Sequence, residues 1–287
     1  MTYNFINLRD TYKIASWQYP GGERGVRINP ALQFKNDGCD VLVARLQKSD
    51  DVMDLLLTVD ALKRGVGFCP RTAGLIIPYL PYARQDRVAD GGDPHALKVF
   101  ANLIDSLGFG SVMCVDAHSS VGQGCFNNSV LNNYVPEKEI SQFFDKVGAS
   151  GRNKVVLVSP DQGATKKVEY YASKWHMPMI HAYKKRDPAT GKLGGFGLMP
   201  GSEIEKFDAN AHYIIVDDIC DGGGTFIGLA DVMRPLMPAT AKLSLFTTHG
   251  IYSKGLDALN AKFNHIGCTN SYNSVRDSNL IEVKLPF

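Results

Sequence analysis

At 287 residues the chain is long enough for one large α/β domain or two of ordinary size, each burying its own core. Apolar residues make up 44% and charged residues 21%, which excludes disordered and fibrous classes. A net charge of +2 gives no argument for a nucleic-acid or membrane partner, so any anion binding must be local.

The cysteines, Cys39, Cys69, Cys114, Cys125, Cys220 and Cys268, are scattered and form no C-x-x-C pair. A disulfide framework or structural zinc site is therefore not expected, and a reducing compartment is. Met1 to Asp10 has no signal-peptide core, and no apolar run approaches the ~20 residues of a membrane span. A soluble, cytoplasmic protein is the expectation.

Short apolar runs alternate with segments of helical period along the chain. Residues 41–44 read as a buried strand, followed by a helix over 52–64 with Leu55, Leu56, Val59 and Leu62 on one face. A strand at 74–77 ends at Pro78, a helix covers 95–107, and a strand covers 111–115. The pattern then repeats, with strands at 154–158, 178–182, 212–216 and 243–246 and helices at 165–174, 225–233 and 254–263. Alternation of this kind predicts an α/β fold with two similar, doubly wound parallel-sheet lobes. The lobes are expected at 1–139 and 140–287, with the tail after about residue 272 packing back on the first lobe. Lys184 to Gly197, where polar residues replace the apolar pattern, reads as a mobile loop.

Ligands of open parallel sheets bind beyond the carboxyl ends of the strands. Unusual polar groups follow three of them: Asp116-Ala-His118, Ser159-Pro-Asp161 and Asp217-Asp218. The strongest element is Val216-Asp217-Asp218-Ile219-Cys220-Asp221-Gly222-Gly223-Gly224-Thr225. Consecutive glycines let backbone N–H groups converge on an anion, and a helix beginning at Thr225 adds its partial positive charge. The carboxylates suit sugar hydroxyls or a metal ion instead. Together they describe a site for a phosphorylated sugar, against the plainer reading of a tight strand-to-helix turn with a capping Asp.

The other polar residues carry weaker signals when taken alone. Arg84 and Arg87 suit bidentate phosphate contacts, or pair on the surface with Asp86 or Asp90. His118 is a metal contact or a hydrogen-bonded strand-end histidine, and Asp161 a metal contact or a helix cap. Tyr19 stacks on a purine or packs as an ordinary aromatic. There is no G-x-x-x-x-G-K-[ST] loop, so a nucleoside triphosphate needs another cradle.

Asp217 to Thr225 resembles the phosphoribosyl-pyrophosphate loop of type I phosphoribosyltransferases and, more closely, that of ribose-phosphate pyrophosphokinases, which usually have Thr where this chain has Gly222. Four further segments, in the family's order, are similar to the pyrophosphokinases: Tyr19-Pro-Gly-Gly-Glu23, Ile77 to Arg87, Val115-Asp-Ala-His118, and Val158-Ser-Pro-Asp161-Gln-Gly163. The resemblance implies ATP contacts at Tyr19, Gly21, Gly22, Glu23, Arg84, Gln85 and Asp86. It implies ribose 5-phosphate at Arg186, Asp217, Asp218, Asp221, Gly222, Gly223, Gly224 and Thr225, and a Mg2+ ion near His118 and Asp161. Lys184 and Arg186 match the cations of the family's catalytic loop, with Lys185 between them. The implied reaction moves the pyrophosphoryl group of ATP to ribose 5-phosphate. The implied partners are those two substrates and further copies of the chain, as a dimer or hexamer, with neither nucleic acid nor membrane. A type I phosphoribosyltransferase, or a nucleotide-binding relative that regulates a partner, are the competing readings.

Overall fold

The computed structural model describes residues 4–8, 10, 12–34, 40–149, 154–186, 193–199, 207–272 and 277–287, with the backbone alone at 4, 185, 186, 193 and 194. Two compact units divide it: Met1–Val135 with Phe287, and Pro136–Pro286.

The first unit holds β1 (Asn4–Asn7), β2 (Ile14–Gln18), β3 (Arg24–Ile28), β4 (Asp40–Val43), α1 (Ser49–Gly65), β5 (Gly74–Ile76), α2 (Ala96–Asp105), β6 (Ser111–Val115), α3 (Val121–Cys125) and β7 (Val130–Tyr134). Its main sheet runs β1-β4-β5-β6-β7 with every pair parallel, while β2 and β3 form a separate antiparallel hairpin. Alternation along the strands sorts the core. Leu42, Leu75, Val112 and Cys114 meet Leu55, Val59 and Leu62 of α1 and Phe100, Ala101 and Ile104 of α2. Val41, Val43 and Ile76 face the other way, with Met113 and Phe287 against them. α1 starts where Asp51 Oδ2 accepts the backbone N–H groups of Gln47 (2.6 Å) and Lys48 (3.0 Å), which satisfies two donors just before the helix.

The second unit holds α4 (Glu137–Lys146), β8 (Val155–Ser159), α5 (Thr165–Trp175), β9 (Met179–Arg186), β10 (Leu193–Leu198), β11 (His212–Cys220), α6 (Gly224–Met233), β12 (Lys242–Gly250), α7 (Asp257–Asn260), β13 (His265–Thr269) and β14 (Leu280–Val283). The sheet order is β10-β9-β8-β11-β12-β13-β14, parallel except for β10 against β9. One face packs Leu157, Ile214, Val216 and Phe246 on Phe143 and Phe144 of α4 and Val168 and Tyr171 of α5. The other packs Val158, Ile215 and Leu245 on Phe226, Leu229 and Met233 of α6. Helices on both faces leave the carboxyl edge of the strands as the open working edge.

Three expected segments differ. The residues expected as a mobile loop supply two paired strands instead: Lys184 sits opposite Phe196, and Tyr183 opposite Gly197, in the β9–β10 hairpin. Residues 187–192 lie outside the described residues. At Lys184, Lys185 and Arg186 the polar side chains hid a backbone that pairs regardless of composition. The helix expected over 254–263 shrinks to the single turn α7, because Gly255 at φ +74° turns the chain just before it. β11 runs on through Asp217, Asp218 and Cys220, since its pairing with β12 continues to Gly250.

Candidate active site

In the first unit two loops leave neighbouring parallel strands at their carboxyl ends. Ile77 N–H donates to Met113 O (2.8 Å) and Val115 N–H to Pro78 O (3.0 Å), after which the loops part. The one after β5 carries Arg84 and Gln85, both exposed, then Asp86, only 5% exposed. The one after β6 carries Asp116, Ala117 and the exposed His118. Tyr82 (φ +63°) and Asp116 (φ +47°) both hold left-handed backbone, a conformation costing about 1 kcal/mol or more for a side-chain-bearing residue, at the bases of these loops.

Asp86 joins the loops. Its carboxylate accepts the Ser119 hydroxyl (2.6 Å) and Arg87 Nε (3.0 Å), and its backbone oxygen takes His95 Nε2 (2.7 Å). Burial works against its ionisation. The bonds from Ser119 and Arg87 and the charges of Arg87 and His118 outweigh burial and hold the carboxyl below its ordinary range. Asp86, expected at the nucleotide, thus also braces the two loops, and Arg87 takes the surface-pair role.

The tip of the β2–β3 hairpin carries Tyr19, Gly21, Gly22 and Glu23. Gly22 N–H donates to Tyr19 O (2.9 Å) and Tyr19 N–H to Glu23 O (2.8 Å), with Gly22 at φ +98° completing the turn. Trp17 lies edge-on to Tyr19, and it reaches across Gly25, where a β-carbon would stand 2.3 Å from its ring. Tyr19 stays half exposed as a flat apolar face on a rigid turn. Its tip sits on a sheet separate from the Arg84 and His118 loops.

In the second unit Asp161 follows β8. Its Oδ1 accepts the backbone N–H groups of Gly163 (2.9 Å) and Ala164 (3.2 Å) at the entry to α5, and its Oδ2 pairs with Lys184 Nζ from β9. The carboxylate thus closes the turn before α5, whose N-cap residue is Ala164, and meets a lysine with its other oxygen. The side chains of Lys185 and Arg186 lie outside the described residues.

β11 delivers Asp217 and Asp218 to the same edge. Burial pushes the Asp217 carboxyl well up, and the charge of Asp218 adds to this while Lys167 opposes it. Lys167 Nζ stands 3.8 Å from Asp218 Oδ1. Asp221 Oδ1 then accepts the Ser253 hydroxyl (2.6 Å), and Ser253 N–H donates to Asp221 O (3.2 Å), so the loop after β12 braces the loop after β11. Gly223, at φ +77°, is the residue before the first turn of α6. Phe226 and Ile227 N–H donate to Gly223 O (3.0 Å each), and the N–H groups of Gly224 and Thr225 are the ones a helix N-terminus offers to an anion. The sequence pattern found Asp217 to Thr225 but not Ser119, Lys167 or Ser253, whose contacts join residues distant in the chain. Among the described residues no cluster of three or more His, Cys, Asp or Glu side chains could hold a metal ion.

Residues 10–108 match a family model described as the N-terminal domain of ribose phosphate pyrophosphokinase. A ribose-phosphate pyrophosphokinase of Mycoplasmopsis pulmonis is 34% identical over 213 residues, 73% of this chain and 60% of that protein. One of Mycoplasma pneumoniae is 31% identical over 242 residues, 82% of this chain and 67% of that protein. The alignments thus span 60% and 67% of these relatives' lengths. The crystal structure of phosphoribosylpyrophosphate synthetase from Mycobacterium smegmatis superposes with a TM-score of 0.76, covering 95% of this chain and 86% of that one at 23% identity, which shows a shared α/β fold with parallel sheets. Motif order, fold and identity agree, and the chain belongs to the ribose-phosphate pyrophosphokinase family.

Proposed function

We propose that this protein transfers the β,γ-pyrophosphoryl group of ATP to the anomeric hydroxyl of ribose 5-phosphate, giving phosphoribosyl pyrophosphate and AMP. The observation that carries the reading is the edge of the second sheet, where two carboxylates lead into a three-glycine turn at a helix N-terminus. That order suits a sugar with hydroxyls at one end and a phosphate at the other. The 5-phosphate accepts from the backbone N–H groups at Gly224 and Thr225, and Asp217 and Asp218 take the ring hydroxyls. Asp221, already engaged by Ser253, shapes the turn.

ATP uses the half-exposed Tyr19 face and Glu23 for its base, and the exposed Arg84 and Gln85 for its phosphates. Asp86, beside them, braces the loop that carries both through its bond to Ser119. Lys184 leaves Asp161 to neutralise charge on the transferring phosphoryl oxygens, joined by Arg186. Direct transfer needs no protein nucleophile.

Mg2+ is assigned here as an ion carried largely by triphosphate oxygens and water, the hard oxygen donors it prefers. The residues the proposal assigns to it or its waters are His118 and Asp161. Its chemistry would be charge neutralisation at the phosphates.

A homo-oligomer, dimer or hexamer, is the proposed assembly, and light scattering of the purified protein is its test. Incubating the chain with ATP, ribose 5-phosphate and Mg2+ and following AMP and diphosphate separately tests the reaction. AMP formed only when the sugar phosphate is present supports it. Diphosphate released from added phosphoribosyl pyrophosphate and a free base, with ATP absent, would point to a phosphoribosyltransferase instead.

A further inference from the structure

The three glycines of the candidate sugar-phosphate turn have different surroundings. A β-carbon at Gly224 would meet nothing within 4 Å, which leaves open space where an anion can approach. Gly223 has positive φ and lies against Leu259, 3.1 Å from where its β-carbon would be. Gly222 is covered by a side chain. The stem of Lys254 crosses it, with Cδ, Cε and Cγ at 3.2, 3.3 and 3.5 Å from the place a β-carbon would occupy. The ammonium is one more bond, about 1.5 Å, beyond Cε.

Lys254 reaches this position because its loop is tied down. Ile251 and Tyr252 N–H groups donate to Cys220 O (2.9 and 3.1 Å), and Ser253 makes its two bonds to Asp221. Tyr252 takes left-handed backbone at φ +50°, which swings the following residues over the turn. The side chain of Lys254 is exposed, and among the described residues it has no ion-pair partner. A lysine stem laid along a glycine with its charged end unpaired, beside a helix N-terminus, is arranged to meet an anion.

We infer that Lys254 is a binding residue for the 5-phosphate of the sugar substrate, supplying a cation over Gly222 where a side chain at 222 would otherwise project. This rests on the proposed function for the site but assigns it a residue outside the Asp217–Thr225 segment. The glycine and the lysine form one device. A threonine at 222 places a hydroxyl at the turn and makes the lysine stem give by a few tenths of an ångström, whereas glycine yields that space to a longer, charged group. Selectivity follows: a phosphate at C5 gains the ammonium, and ribose without phosphate gains nothing from it.

The test measures ribose 5-phosphate binding by calorimetry, and steady-state constants for both substrates, in wild type, Lys254→Ala and Lys254→Arg. The expected result is about a tenfold rise in Kd and KM for ribose 5-phosphate in K254A, the size of one lost charge-assisted hydrogen bond partly screened by water. KM for ATP stays within about twofold, K254R recovers most of the loss, and raising salt weakens wild-type binding more than K254A binding. Unchanged sugar-phosphate binding in K254A, or an equal weakening for ATP and sugar phosphate, overturns the inference. Should wild type bind ribose 5-phosphate through Lys254 and yet form no AMP, the pyrophosphoryl-transfer reading fails while the residue assignment stands.

Discussion

The Ser119 hydroxyl donates to Asp86 Oδ2 at 2.6 Å, linking two loops that leave adjacent strands. A carboxylate at 5% exposure is costly to leave under-bonded, so this contact keeps Asp86 in place and, with it, the backbone that presents Arg84 and Gln85. Ser119→Ala removes the donor while leaving the fold intact. The expected outcome is about a three- to tenfold rise in KM for ATP with KM for ribose 5-phosphate little changed. Ser119→Thr, which keeps the hydroxyl, is expected to restore it. Equal KM changes for both substrates would show that the link holds the fold generally rather than the nucleotide loop.

Lys184 and Asp161 are partners across β9 and the entry to α5. If Lys184 shields developing charge during transfer, Lys184→Ala is expected to lower kcat by about 10²–10³-fold with little change in melting temperature, because only a surface-edge ion pair is lost. Lys185→Ala, one residue further along β9, is the comparison that settles the register. Near-normal turnover in K184A together with a collapse in K185A would move the assignment by one residue.

The central strands were legible because parallel strands buried on both faces read as apolar runs, as at residues 155–158 and 213–216. β2 and β3 were not. Ile14-Ala-Ser-Trp-Gln18 is mostly exposed, and its pairing depends on Trp17 lying over Gly25, a contact no periodicity reports. β13 and β14 were missed for a similar reason, since His265-Ile-Gly-Cys-Thr269 is short and its glycine interrupts the pattern. There Phe143 fills the space, 2.4 Å from where a β-carbon on Gly267 would stand. In the site, the carboxylate-glycine segment declared itself because its residues are contiguous. Ser119, Ser253 and Lys254 did not, because each acts on a residue about thirty positions away, and only the fold makes them neighbours.

Gly223 and Gly224 separate folding from binding. Alanine at 223 must adopt φ +77° and press a β-carbon to 3.1 Å from Leu259. Gly223→Ala is therefore expected to cost ~1–2 kcal/mol of stability in urea unfolding. Alanine at 224 meets open space. Gly224→Ala is expected to leave stability within about 0.5 kcal/mol of wild type, yet weaken ribose 5-phosphate binding by crowding the backbone donors. If G224A binds the sugar phosphate normally, the anion does not sit on this turn.

His212 gives the molecule a pH-dependent stability of calculable sign. It is 7% exposed, with Nε2 2.7 Å from Ser244 Oγ. Burial, with the neighbouring charges of His265 and Lys242, lowers its pKa from 6.5 to about 4. The folded protein thus keeps it neutral between those values while the unfolded chain binds a proton. Stability from this residue is complete above pH 6.5 and is lost as pH falls toward 4, by ~3 kcal/mol in all. His265, lowered by burial and by Lys242, acts in the same direction. Urea unfolding at several pH values in this window is expected to show the decline in wild type. His212→Gln, which keeps a hydrogen-bonding partner for Ser244 but cannot titrate, is expected to flatten it by the larger part. A slope equal in the two proteins would mean that His212 is already charged in the folded state.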